Sequence, residues 1–172
     1  MRRSRWSRRC SWMQLIVGQA VTQAANDQQQ VAPMVAAVEA QSGQRPREML
    51  ADHGYCSEKN LEYLEAAQQP QKKIEAYLAT GRQKHGERRV CPRGPLPQGP
   101  TRVERMRRKL QTKAGAAIYA ARQAIVEPVF GQIKQARGFR RFSLRGLAKV
   151  PAEWALVCAT HNILKLYRLC YG

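Results

Sequence analysis

From Arg122 to Phe142 the chain reads RQAIVEPVFGQIKQARGFRRF, with Ile125, Val126, Val129, Phe130 and Ile133 recurring at steps of three and four. That spacing predicts a helix with one face turned to a core. Glu127 lies off the apolar stripe. Lys134 follows it two helical turns later on the same side, with Gly131 between them leaving the surface open to a large ligand. Pro128 lacks a backbone donor and crowds the preceding turn, so a kink or an exposed carbonyl is expected beside the acid.

Upstream, short apolar runs alternate in kind. Gln14–Gln23 contains β-branched residues and reads as a strand. Gln28–Gln41 carries Val31, Met34, Val35 and Val38 at helical spacing and stops before Ser42-Gly43. Glu48–Tyr55 runs as a brief strand through Met49 and Leu50 and breaks at Gly54, which leaves Asp52 at the strand's C-terminal end. Ser57–Ala67 is a helix with Ser57 as its cap and Leu61 and Leu64 facing inward. Ile74–Thr80 alternates as a strand. Strand, helix, strand, helix, strand is the order of an α/β sheet, where ligands collect at strand C-termini.

The pattern fails between Gly81 and Pro100, GRQKHGERRVCPRGPLPQGP, where four of the nine prolines fall. This stretch is expected to be an insertion or loop whose arginines reach along a phosphate backbone. Thr101 and Glu104 have capping-box spacing at the start of a basic helix, Thr101–Leu110. Another helix leads from about Lys113 into the Arg122 stretch. Glu153–Leu169 is apolar on most sides and reads as a largely buried closing helix, with His161 and Asn162 as structural polar groups.

Charge changes the picture. The net charge is +18 over 172 residues, and residues 82–172 alone hold 20 Lys and Arg against 4 acids. A one-signed field over half a chain attracts polyanions, and nucleic acid is the commonest that needs so broad a surface. Five scattered cysteines form no CxxC pair, so neither a zinc finger nor a disulfide framework is indicated, and a reducing compartment fits. The isolated His53-x-x-Cys56 reads as local loop chemistry. Residues 1–13 are expected to form a disordered basic leader. No apolar run is long enough to span a bilayer, so no membrane partner is expected.

Asp27 and Asp52 are the only aspartates. Asp27, in AANDQQQ, is expected to be a turn or helix-cap residue. Asp52 and Glu127 could converge on one divalent cation although far apart in sequence. On pattern alone, a lone acid beside a turn is more often a cap and a lone Glu on a basic helix more often a surface ion pair.

ADHGYCSEKNLEYLE, YLATGRQKHGER, AIVEPVFGQIKQARGFRRF and THNILKLYR, in that order, resemble the C-terminal part of DDE transposases of bacterial insertion sequences. The likeness spans roughly residues 14–172. It implies an α/β, ribonuclease H-like mixed sheet flanked by helices, here incomplete, with two Asp and one Glu binding Mg²⁺ or Mn²⁺. It places Asp52 and Glu127 as catalytic, metal-binding acids and Lys134, Arg137, Arg140 and Arg141 as DNA-binding residues. In that family, metal polarises a scissile phosphate and activates water, then a DNA 3′-hydroxyl. The family's first Asp has no counterpart here, so the resemblance implies a truncated catalytic domain that binds DNA non-specifically, holds metal weakly and has little or no strand-transfer activity. A bacterial cytoplasmic, nucleoid-associated location follows from the same resemblance, and self-association is left open. The rival reading is a basic nucleic-acid-binding protein whose acids are structural.

Overall fold

A computed structural model describes residues 14–65, 73–81 and 94–171. The expected leader at 1–13 lies outside the described residues, as do 82–93 of the Pro-rich stretch. Residues 94–100 form bends without a regular element. The chain divides into two compact units, one comprising Ala24–Arg122 and the other Gln123–Gly172 together with the segment up to Gln23.

The first unit is built on a βαβ motif. β1 (Glu48–Ala51) pairs in parallel with β2 (Glu75–Leu78), Glu48 opposite Glu75 and Ala51 opposite Leu78. A parallel pair needs a crossover, and α2 (Glu58–Glu65) supplies it. The Ser57 hydroxyl accepts the Asn60 N–H at 3.2 Å, so the expected cap is present. Before β1, a 3₁₀ turn (Asp27–Gln30) leads into α1 (Val31–Ser42). α1 ends at Gly43, whose φ of 67° is the left-handed conformation that lets its N–H reach the Glu39 carbonyl.

Val31, Val35, Leu61, Leu64, Ile74, Leu78, Met106 and Leu110 form the core. Ala76, Tyr77 and Leu78 are buried in succession. The expected alternation in this strand is therefore absent, because Ala76, Tyr77 and Leu78 all join the core formed with α2 and the helix that follows β2. The sheet is purely parallel and has two strands among the described residues, not the mixed sheet expected.

α3 (Arg102–Gln111) opens with the expected capping box, Thr101 and Glu104 each bonding the other's backbone. Glu58 adds a second cap from α2, accepting the N–H groups of Arg102 and Val103 at 3.1 and 2.9 Å. The Val103 bond is the main reason its carboxyl lies below the usual range. Lys109 ties α3 to β2 through Glu75, the Ala76 carbonyl at 2.6 Å and the Tyr77 ring. The bond to Lys109 lowers the Glu75 pKa. α4 (Lys113–Gly131) begins one residue after Thr112, whose hydroxyl accepts the Gly115 N–H at 3.0 Å. A Cβ on Gly115 would overlap the Lys109 carbonyl oxygen, so this tight corner requires glycine.

In the second unit α4 continues through Pro128 to Gly131, and a π-helical segment (Gln132–Ala136) follows. Pro128 cannot donate to the Ala124 carbonyl four residues back. The Gln14 side-chain amide donates to it instead, at 3.0 Å. The freed carbonyl that Pro128 predicts is thus real and capped. α5 (Val150–Tyr171) closes the chain.

Gln14–Gln23 contains no strand, contrary to its β-branched pattern. At Gln14 and Ile16, side chains of α5 take the place of a ladder. The Ile16 N–H donates to Asn162 Oδ1 and Asn162 Nδ2 donates to the Ile16 carbonyl, both at 2.8 Å. His161 Nε2 donates to the Gln14 carbonyl at 2.9 Å and Lys165 donates to Gln14 Oε1 at 2.7 Å. These contacts hold Gln14 at φ 55°, a region non-glycine residues seldom occupy. His161 and Asn162 are structural, as expected. The closing helix is not largely buried, however. Among its side chains only Cys158 and His161 are fully buried.

Candidate functional site

The two candidate acids belong to different units, Asp52 to the first and Glu127 to the second. Asp52 directly follows β1, at the strand's C-terminal end, and is the residue before a 3₁₀ turn (His53–Tyr55). Its side chain is 55% exposed, and Arg122 Nη1 lies 4.0 Å from Oδ2, at the outer limit of an ion pair. A water-accessible pair at that distance contributes little to stability. It does give Asp52 a cationic neighbour.

Asp27 is the unexpected component. The cap of its 3₁₀ turn is Asn26, whose side chain accepts the Gln28 N–H at 2.9 Å, and Asp27 is the first residue inside the turn. Its carboxylate flanks Gly54 together with that of Asp52. A Cβ added to Gly54 would stand 3.2 Å from Asp27 Oδ2 and 3.7 Å from Asp52 Oδ1. Burial, then the charge of Asp27, then that of Asp52, push the Tyr55 hydroxyl above its usual pKa. Nothing in AANDQQQ signals this neighbour, because the contact depends on one 3₁₀ turn packing against another.

His53 and Cys56 are linked only by a backbone bond of 3.1 Å closing the turn, which agrees with the loop reading. Among the described residues, no group of three or more His, Cys, Asp or Glu side chains could hold a metal ion.

Glu127 is exposed on α4, one residue before Pro128. Lys134, two turns further, is also exposed, and its ammonium lies 5.5 Å from the Phe130 ring centroid. A Cβ on the intervening Gly131 would meet nothing within 4 Å, so this side of the helix is open as expected. The opposite stripe is only half used. Val129 and Ile133 are buried, whereas Val126 and Phe130 are exposed.

Of the basic residues after Glu127, Arg140 and Arg141 are exposed, and Arg140 donates to Gln135 Oε1 at 2.7 Å. Arg137 is half-buried and already engaged, with Nη1 and Nη2 donating to the hydroxyl and carbonyl of Thr160 at 2.9 and 3.0 Å. Arg145 and Lys149 continue the exposed basic series in the loop before α5. That loop has its own support. Phe139, Phe142 and Trp154 cluster with ring centroids 5.4 to 6.3 Å apart. Glu153 accepts the N–H groups of Leu144 and Ser143 at 2.9 and 2.8 Å, the bond from Leu144 first holding its carboxyl below the usual range.

Residues 99–167 match the family model described as the transposase DDE domain. The matched segment contains Glu127, Lys134, Arg137, Arg140 and Arg141, and does not reach Asp52. No curated protein and no solved structure matches the chain.

Proposed function

We propose, from the premise that this chain carries a transposase DDE domain over residues 99–167, that it acts in DNA transposition and binds DNA through the exposed face of α4 and the loop behind it. The observation that carries this reading is the open line Glu127, Gly131, Lys134 inside the matched segment, followed by exposed Arg140 and Arg141. An acid and a base two turns apart around an unobstructed glycine leave room for a phosphate backbone to approach. Arg137, occupied by Thr160, is better suited to hold the loop than to grip DNA. The βαβ unit is consistent with part of a ribonuclease H-like sheet.

Asp52 and Glu127 are proposed as ligands for Mg²⁺ or Mn²⁺. They fit in kind, since carboxylate oxygens are the ligands these ions prefer, but among the described residues no group of three such side chains forms around either. An ion at Asp52 would also meet the Arg122 guanidinium. Weak metal affinity and weak or absent strand transfer follow. Mn²⁺ titration of the purified chain, read by calorimetry, tests this: the reading expects weak binding lost in Asp52→Asn with Glu127→Gln. The approach of Arg122 to Asp52, an ion-pair role for that acid, favours the second reading, a non-catalytic nucleic-acid-binding protein whose acids are structural. That reading expects the double substitution to change nothing.

A further inference from the structure

Between Glu127 and Glu153 the chain carries six Lys and Arg and no acid. Within that stretch the loop before α5 also leaves large apolar side chains in solvent. Phe142 is 40% exposed, Leu144 44% and Leu147 47%, and each stands within two residues of Arg141, Arg145 or Lys149. The loop is nevertheless held in place. Arg137 binds Thr160 before it, and the Gly146 carbonyl accepts the Lys149 and Val150 N–H groups, both at 3.1 Å, at its end. In its middle Glu153 commits one carboxylate oxygen to the Ser143 N–H and the other to that of Leu144. The Phe142 ring crosses those of Phe139 and Trp154 at 78° and 82°. A ligand packing on the exposed part of this ring therefore has little loop motion to arrest.

We infer that Phe142 is a stacking platform for an unpaired base of single-stranded DNA, with Arg140, Arg141 and Arg145 holding the phosphates on either side. The platform presupposes the DNA-binding reading above and specifies the form of DNA that the loop takes. In a duplex each base face is covered by the next base, so an aromatic ring meets only groove edges, sugar and phosphate. An unpaired base offers a free π-face, and stacking on it tolerates any sequence. The cations around the three apolar side chains, with the Glu153 carboxylate already engaged by backbone, select a polyanion over an apolar protein surface.

The test compares, by fluorescence anisotropy on the full chain at one salt concentration, a thymidylate strand with the same strand paired to its adenylate complement. Phe142→Leu keeps an apolar side chain beside Phe139 and Trp154 but removes the ring. It should weaken single-strand binding at least about fivefold more than duplex binding, the lower end of what one lost base–aromatic stack removes. Phe142→Trp should keep single-strand affinity at or above wild type. Equal losses on both forms of DNA, or no loss on either, overturn the inference and leave the apolar residues of the loop to a protein partner. Lys134→Ala with Arg140→Ala and Arg141→Ala is measured beside these variants. If it leaves both affinities unchanged, the DNA-binding reading fails and the platform fails with it. If it weakens both while Phe142→Leu spares the single strand, the platform alone fails.

Discussion

Asn162 replaces a strand partner for Ile16, and its removal has a calculable consequence. In Asn162→Ala, the Ile16 N–H and carbonyl each lose a 2.8 Å bond in a part-buried setting. At about 0.5–1.5 kcal/mol per bond, the variant should lose about 1–3 kcal/mol of local stability. The His161 and Lys165 contacts to Gln14 remain, so the segment should loosen without detaching completely. Amide hydrogen exchange reads this directly, because the Ile16 N–H is protected by the residue removed. Its exchange should accelerate about 5- to 150-fold, while the amides of Leu61 and Leu64 in the other unit keep wild-type rates. Exchange at Ile16 within about twofold of wild type would show that Asn162 does not hold this segment.

Further outcomes separate the two helical glycines and the acids. Gly115→Ala should destabilise the first unit by about 1–3 kcal/mol in urea titration, since the new methyl meets backbone at Lys109. Gly131→Ala should instead stabilise by up to about 1 kcal/mol, because its Cβ enters open space in a helix. Gln14→Ala uncovers the Ala124 carbonyl and should cost about 1 kcal/mol, visible as a lower thermal midpoint. Glu58, Glu75 and Glu153 all have lowered pKa values. Their contribution is therefore complete above their unfolded value of about 4.3 and is lost as pH falls through the lower folded values. A thermal midpoint that rises on acidification from pH 5 to pH 3 would contradict those assignments.

The parts legible in the sequence were those set by neighbours along the chain. The Ser57 cap, the Thr101–Glu104 box and the Gly43 stop depend on residues three or four apart, and each is present. β1 and β2 were readable because the helix between them forces the parallel crossover. Gln14–Gln23 forms no strand, and the partner of Ile16 is the Asn162 side chain 146 positions away, which no local pattern encodes. Apolar spacing predicts burial of Val129 and Ile133 correctly and of Val126 and Phe130 wrongly. It could not say whether anything covers the latter pair, and both are exposed. Asp52 was legible from the break at Gly54. Its neighbours Asp27 and Arg122 were not, because turn packing and helix placement bring them there. Arg137 had the same charge as its neighbours, and only the Thr160 contact distinguishes its role.

The central claim is that the basic residues after Glu127 contact DNA phosphate, and the salt dependence of DNA affinity measures this most directly. Binding of a duplex oligonucleotide by the wild-type chain should weaken linearly in log–log form as salt rises. Lys134→Ala with Arg140→Ala and Arg141→Ala should make that slope shallower by about 2.7, about 0.9 for each phosphate contact removed. A slope unchanged by the triple substitution would place DNA binding elsewhere on this basic chain and contradict the account.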